Sequence, residues 1–243
     1  MGLAETGARG RLIVALDMAT LGEARALIER LDRAASFYKI GLELALSGGL
    51  DLARELSRAG KRVFLDMKLL DIANTVERAT RRAADTGATF LTVHAQDAKT
   101  LSAAVAGRAG TGLKVLGVTV LTNLDGDDLR QQGIGDPPHA LVARRAAMAR
   151  EVGLDGVVAS GQEAERVRAI VGPDLAIVTP GIRLPGDGAA DQARSSTPEA
   201  AIAAGADYLV IGRPITRARD PLAATEAFVR AIKAGLAMRA SGA

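Results

Sequence analysis

Short apolar runs alternate with longer amphipathic stretches along the whole chain. Runs rich in β-branched and aliphatic residues read as strands at 12–17 (LIVALD), 37–41 (FYKIG), 63–68 (VFLDMK), 90–95 (FLTVHA), 114–121 (KVLGVTVL), 156–160 (GVVAS), 176–181 (AIVTPG) and 208–212 (YLVIG). Between them, segments rich in Ala, Arg and Glu, such as 21–33, 43–59, 72–86 and 139–152, carry the spacing of helices with one buried face. Eight strands separated by helices, with no break in composition, predict a single (β/α)8 barrel of the TIM type over residues 11–243, after a flexible start at 1–10. The length of 243 residues suits that fold, for which about 250 is typical. An open doubly wound sheet satisfies the same alternation, because periodicity does not report closure. Either architecture places its chemistry at the carboxyl ends of the strands.

Those ends are polar here. Asp17 ends the first strand, Lys39 lies on the second, Asp66 and Lys68 on the third, and His94 on the fourth. Thr122 follows the fifth, Pro180, Gly181 and Arg183 the seventh, and Gly212 and Arg213 the eighth. One such residue would mean little, but a ring of them at one end reads as a pocket. The third strand runs into the spacing Asp66-x-Lys68-x-x-Asp71. Side chains two apart on a strand share a face, so Asp66 and Lys68 point the same way. Asp71 stands where the next helix is expected to begin, where a carboxylate favours the exposed N–H groups. Taken alone, the spacing reads more readily as a strand-end salt bridge plus a helix cap than as a working site.

Composition narrows the partners. Aromatic residues make up 2% of the chain, too few for base-stacking platforms, and small aliphatics suit a tightly filled barrel. The net charge of +3 comes from 31 basic and 28 acidic residues spread along the chain, so no basic patch argues for nucleic acid. Zero cysteines exclude disulfides, thiolate metal sites and a Cys nucleophile, and fit a reducing cytoplasm. No apolar run approaches the ~18 residues of a membrane span, and the start lacks a signal-peptide core. Met1-Gly2 through Thr6 matches the loose myristoylation pattern, for which an unstructured start is the simpler reading.

Two connections are long, 123–137 and 182–198, and loops beyond about 12 residues are commonly lids or binding loops. Asp125, Asp127 and Asp128 in the first lack the ligand spacing of a calcium loop, and no metal site is expected. The second holds Arg183, Gln192 and Arg194 among glycines and prolines, as suits a flap closing on an anion. Barrel phosphate cradles lie after strands 7 and 8, where Gly181, Arg183, Gly212 and Arg213 offer approachable backbone N–H groups and bidentate charge. The competing reading pairs Arg213 with a structural carboxylate. The run Gly107–Gly112 lacks the Walker lysine and reads as a helix stop.

Lys39, Asp66 and Lys68, with Asp71 nearby, form an alternating set of charges. A lysine kept cationic by carboxylates can deliver a proton to a developing carbanion, whereas a Schiff base needs the neutral amine. Proton donation is therefore favoured for Lys68. His94, closing an apolar strand, suits a structural hydrogen bond better than acid–base work. Phe37 and Tyr38 read as strand core, and His139 after Pro137-Pro138 as exposed.

With these residues in place, nearly the whole chain after the first ten residues resembles the orotidine 5′-phosphate decarboxylases of bacterial type. The most specific part is Asp66-x-Lys68-x-x-Asp71-Ile72-x-Asn74-Thr75. Leu16-Asp17, Tyr38-Lys39-Ile40-Gly41, Leu121-Thr122, Thr179-Pro180-Gly181-Ile182-Arg183, Asp191-Gln192-x-Arg194 and Ile211-Gly212-Arg213-Pro214-Ile215 support it. The resemblance implies orotidine 5′-phosphate as substrate and UMP as product, with neither metal nor cofactor. It implies that Lys68 protonates C6 of the pyrimidine, that Asp66 lies beside the substrate carboxylate, and that Lys39 completes the network and touches the ribose with Asp17. Thr122 would contact the pyrimidine edge, with Pro180 in the substrate site. Gln192 and Arg213 would grip the phosphate, assisted by Arg183 and the Gly212 backbone. Asp71, Ile72 and Thr75 would enter from the partner of a homodimer. Leu70 and Ala73 stand where many members have His and Pro, which leaves the local loop geometry open. Related metal-dependent sugar-phosphate decarboxylases and synthases share the Asp-x-Lys-x-x-Asp strand, and a non-catalytic phosphate-binding barrel is the remaining alternative.

Overall fold

The computed structural model describes residues 7–185 and 196–241. Eight parallel strands close in sequence order: β1 (Leu12–Ala15), β2 (Phe37–Gly41), β3 (Arg62–Leu69), β4 (Phe90–His94), β5 (Lys114–Val118), β6 (Gly156–Val158), β7 (Ala176–Thr179) and β8 (Tyr208–Ile211). Ile13 of β1 pairs with Val210 of β8, and Val14 with Tyr38 of β2, so the sheet has no edge and the open-sheet alternative falls. Several strands stop short of their expected carboxyl ends. Asp17, Thr122, Pro180, Gly181 and Gly212 lie just beyond the ladders, in the first residues of the connecting loops, where their polar groups are free to turn over the barrel mouth.

Alternation along the strands builds two buried layers. Ile13, Ala15, Phe37, Phe64, Phe90, Leu116, Val178, Tyr208 and Val210 fill the barrel interior. Their neighbours, among them Val14, Tyr38, Leu65, Leu91, Val115, Ile177 and Leu209, join the larger cluster against the helices. The chain has four Phe and two Tyr, and four of these six rings meet inside the barrel. Phe37, Phe64, Phe90 and Tyr208 pack at centroid separations of 5.2–6.0 Å, and the Arg62 guanidinium lies 4.4 Å from the Phe37 ring centroid. Phe37, Phe90 and Tyr208 open their strands and so plug the amino-terminal end, while Phe64, third in β3, packs on Phe90 and reaches the other end of the barrel. A wholly aliphatic interior is therefore not what the chain builds.

Helix Leu21–Leu31 starts with a reciprocal cap, in which Thr20 Oγ1 accepts from Glu23 N–H at 3.2 Å and the Glu23 carboxylate accepts from Thr20 N–H at 3.2 Å. The stretch expected as one helix at 43–59 is interrupted. A π-type turn, Ala45–Gly49, separates Leu42–Leu44 from Leu50–Arg58, with Gly48 in the left-handed region at φ 93°. The connection at 123–137 contains helix Gly126–Gln131, so it is not an unstructured loop. Asp125 accepts from the N–H groups of Asp127 and Asp128 at 2.8 and 3.1 Å, and Asp128 accepts from Asp125 N–H at 3.0 Å. These carboxylates cap a helix.

Residues 8–10, placed by sequence in a flexible start, belong instead to helix Ala8–Arg11. Arg9 pairs with Glu226 at 2.7 Å and donates to Ala34 O at 2.8 Å, tying this turn to the last helix, Pro221–Ser241. Nearby, buried Asp207 takes Arg168 at 2.5 Å, Arg239 at 3.6 Å, Arg11 at 3.8 Å and the Ile177 N–H at 2.9 Å. Such pairing just before β8 holds the face of the barrel associated with stability rather than chemistry.

Candidate active site

At the opposite end, the strand termini surround a cavity of about 640 Å³, within the range of small-molecule sites. Asp17, Lys39, Asp66, Lys68, Thr122, Pro180, Gly181, Arg183, Gly212 and Arg213 all line it. Between them lie Phe64, Val118, Val120, Val158, Ala159 and Val210, an apolar bed suited to a flat ring.

Four charges run across one side of the mouth in alternating order. Lys39 Nζ lies 2.7 Å from Asp17 Oδ1 and 3.4 Å from Asp66 Oδ2, and Lys68 Nζ lies 2.8 Å from Asp66 Oδ1. Gly41 leaves space for this pairing, since a Cβ there would stand 3.1 Å from Asp17 Oδ1 and 3.2 Å from Lys39 Nζ. Burial alone would lower the Lys39 pKa, but the carboxylates of Asp66 and Asp17 outweigh it and raise the value overall. Burial would likewise raise the Asp66 pKa, and Lys39, Lys68 and a hydrogen bond from Thr92 more than reverse it. Both groups are therefore ionised at neutral pH.

Asp66 and Lys68 reach this geometry through an irregular strand. Leu65 pairs with Leu91 and Leu69 with Val93, so four steps along β3 oppose two along β4. Lys68 sits in the bulge at φ 49°, a left-handed conformation that non-glycine residues seldom hold outside functional sites. Thr92 of β4 fills the gap. Its hydroxyl donates to Asp66 Oδ1 at 2.9 Å and accepts from the Lys68 N–H at 3.0 Å.

The other side of the cavity is cationic. Arg183, Arg213 and Arg217 line it, and Arg183 Nη1 donates to Ile182 O at 2.9 Å. Among the described residues, five cations and two carboxylates face the cavity, a balance that favours a ligand of several negative charges. Arg217 was missed in the sequence, although its position four residues after Arg213 puts the two on one helical face. Thr92 was missed as well. Strand alternation places it on the face of Phe90 and His94, yet an isolated Thr in a β-rich run carries no other signal.

Other expected residues lie elsewhere. Asp71, Ile72 and Thr75 are exposed and do not line this cavity in a single chain. Asp71 is not the helix cap expected of it: helix Ala73–Ala84 follows Ile72, and the Asp71 carboxylate accepts from the Ile72 N–H at 2.7 Å. Gln192 and Arg194 lie outside the described residues. His94 is half-buried off the cavity lining, and burial, with the charges of Lys68 and Arg145, pushes its pKa down, so it is neutral. His139 is exposed. Among the described residues no group of acidic or His side chains gathers as metal ligands, and no helix is long and apolar enough to cross a membrane.

Fold and site together define a (β/α)8 enzyme whose barrel mouth sets an alternating Asp–Lys array against a rim of arginines. The sequence model of the "Orotidine 5′-phosphate decarboxylase / HUMPS family" matches residues 10–228, and the chain belongs to that family. A Bradyrhizobium protein (strain BTAi1) named orotidine 5′-phosphate decarboxylase is 52% identical over 234 residues, covering 96% of each chain. One of the same name from Methylobacterium radiotolerans is 56% identical over 221 residues, covering 91% of this chain and 95% of the relative. The crystal structure of orotidine 5′-phosphate decarboxylase from Lactobacillus acidophilus superposes with a TM-score of 0.81 at 36% identity, covering 91% of this chain and 98% of that one.

Proposed function

We propose that the chain decarboxylates orotidine 5′-phosphate to UMP and CO2, the last step of de novo UMP synthesis. The observation that carries this reading is the alternating Asp17–Lys39–Asp66–Lys68 array facing three arginines across an apolar bed. The family match and the names of the relatives support it directly. The substrate bears a carboxylate and a phosphate of about −1.5 to −2 charges at neutral pH, which the excess of cations around the cavity balances. Arg213 and Arg183, with the Gly212 backbone and Gln192, hold the phosphate, and Arg217 adds to the same rim. Thr122 and Pro180 border the pyrimidine, and Asp17 and Lys39 bind the ribose.

Chemistry then follows from the charge order. The bond between C6 and the carboxylate carbon breaks, CO2 leaves, and the electron pair stays on C6. Lys68 gives its ammonium proton to that carbon, and solvent later restores it. Asp66 beside the substrate carboxylate would repel it by roughly 4 kcal/mol at ~4 Å and an effective dielectric of 20. Enzymes commonly remove ~8–23 kcal/mol from a barrier, so repulsion is a minor part of the effect. The larger part comes from cationic Lys68 meeting negative charge as it builds on C6, with binding energy from the phosphate holding the reacting ring in place. This scheme calls on no cofactor, since the electron pair is never passed on.

The site is completed by a second copy of the chain, which brings Asp71, Ile72 and Thr75. Residues 11–243 act as one domain, working in the cytoplasm. One assay tests the activity: purified chain and orotidine 5′-phosphate are mixed with excess chelator, and loss of the pyrimidine absorbance is followed. Full turnover in chelator is expected. Turnover abolished by chelator would move the chain to the metal-dependent branch, and none under any condition would refute the reading.

A further inference from the structure

We propose that Thr92 is a positioning residue of the reaction, its hydroxyl locking the bulge of β3 so that Lys68 and Asp66 meet the substrate together. This rests on the decarboxylase reading and deepens it. The register places Thr92 between Leu91, which pairs with Leu65, and Val93, which pairs with Leu69. It is thus the single β4 residue opposite three of β3, Asp66, Met67 and Lys68, where a regular ladder of backbone bonds is interrupted. Its side chain stands in for that ladder. One oxygen accepts from the Lys68 N–H at 3.0 Å and donates its own proton to Asp66 Oδ1 at 2.9 Å.

Two consequences follow from that double role. Lys68 is held at φ 49°, a strained conformation that persists only where the surroundings over-determine it, and the bond from its N–H to Thr92 is a fixing contact at that residue. The direction of the Thr92 hydroxyl is set too: because it accepts from Lys68, its proton is free only for the Asp66 carboxylate. Asp66 Oδ1 then receives Lys68 Nζ and Thr92 Oγ1 side by side, which fixes the carboxylate plane and aims the ammonium. Thr92 is fully buried beneath Asp66 and does not line the cavity, so it acts through these two residues and not on the ligand.

Thr92→Val keeps the shape and removes the hydroxyl, Thr92→Ala removes both hydroxyl and methyl, and Thr92→Ser keeps the hydroxyl alone. For Val and Ala, kcat is expected to fall roughly 10- to 100-fold, as losing one or two such bonds in the transition state implies. UMP affinity should stay within about threefold, since the anion rim is untouched. The acid limb of the kcat profile should move to higher pH, because Asp66 loses a donor that favours its charged form. Thr92→Ser should recover most of the turnover and return the acid limb. Reading both Val and Ala keeps the test alive if one fails to fold, and circular dichroism with UMP titration identifies such a failure. Turnover of both hydroxyl-free variants within twofold of the parent would overturn the proposal. So would equal losses in Ser and Val, which would assign the effect to packing, or a parallel collapse of UMP binding. Failure of the parent chain to decarboxylate would instead refute the function on which the proposal rests.

Discussion

At the scale of single residues, Lys39 and Asp66 hold each other ionised from opposite sides of neutrality. Asp66 has its pKa depressed by folding, so its contribution to stability is complete above the unfolded value of about 3.9 and is lost as pH falls through the folded one. Lys39 has its pKa raised, so its contribution is complete below about 10.4 and is lost as pH rises through the folded value. Between those limits the array does not titrate on account of these two groups. Unfolding free energies of the parent and Asp66→Asn, measured by urea titration at a series of pH values, should differ by a constant amount from about pH 5 to 9. The gap should then shrink below about pH 4 as the parent carboxylate takes up its proton on unfolding. A gap that stays constant down to pH 3 would mean that Asp66 draws nothing from its cationic neighbours.

At the scale of elements, each of the eight strands was legible because its signal is local: a β-rich run bounded by turn residues needs no knowledge of its partner. The bulge of β3 was not legible, since it exists only in the register between Leu65 and Leu69 on one strand and Leu91 and Val93 on the next. Lys68 could be picked out by its charge, but its left-handed backbone could not, and Thr92 looked like any β-branched strand residue. The aromatic cluster was hidden for the same reason, because four rings scattered over the 172 positions from Phe37 to Tyr208 meet only on closure. Gly107 shows the converse. The sequence reads it as part of a helix stop, and helix Ala98–Arg108 does end there, yet its role is in packing. A Cβ at Gly107 would run into the carbonyl oxygen of Glu77 and stand 2.8 Å from Thr80 Cβ on helix Ala73–Ala84. Gly→Ala inside a helix ordinarily gains up to about 1 kcal/mol, but overpacking against a backbone atom costs about 1–3 kcal/mol. Gly107→Ala should therefore lower the urea midpoint with an unchanged slope, and a raised midpoint would show that the two helices part freely.

At the scale of the whole molecule, the surface beside the site is unlike the rest. Leu46 is 88% exposed, Ile72 73%, Leu42 54% and Leu70 46%, all in the connections that follow β2 and β3. Large apolar side chains gathered at one rim suit an interface, and a twofold partner would bury the same patch on both copies. In the dimer proposed above, Lys68 serves its own barrel and Asp71 serves its neighbour's. That division has a consequence that no single-chain site shares. Lys68→Ala and Asp71→Ala should each be nearly inactive alone. When the two are combined so that subunits exchange, a mixed dimer carries both defects in one site and none in the other. Equal random mixing makes about half of the dimers mixed, so about a quarter of the parental sites should be restored. Recovery should rise as exchange proceeds and disappear if the two variants are kept from exchanging. A mixture no more active than its components would place Asp71 outside its neighbour's site, and high activity of Asp71→Ala by itself would remove it from the mechanism.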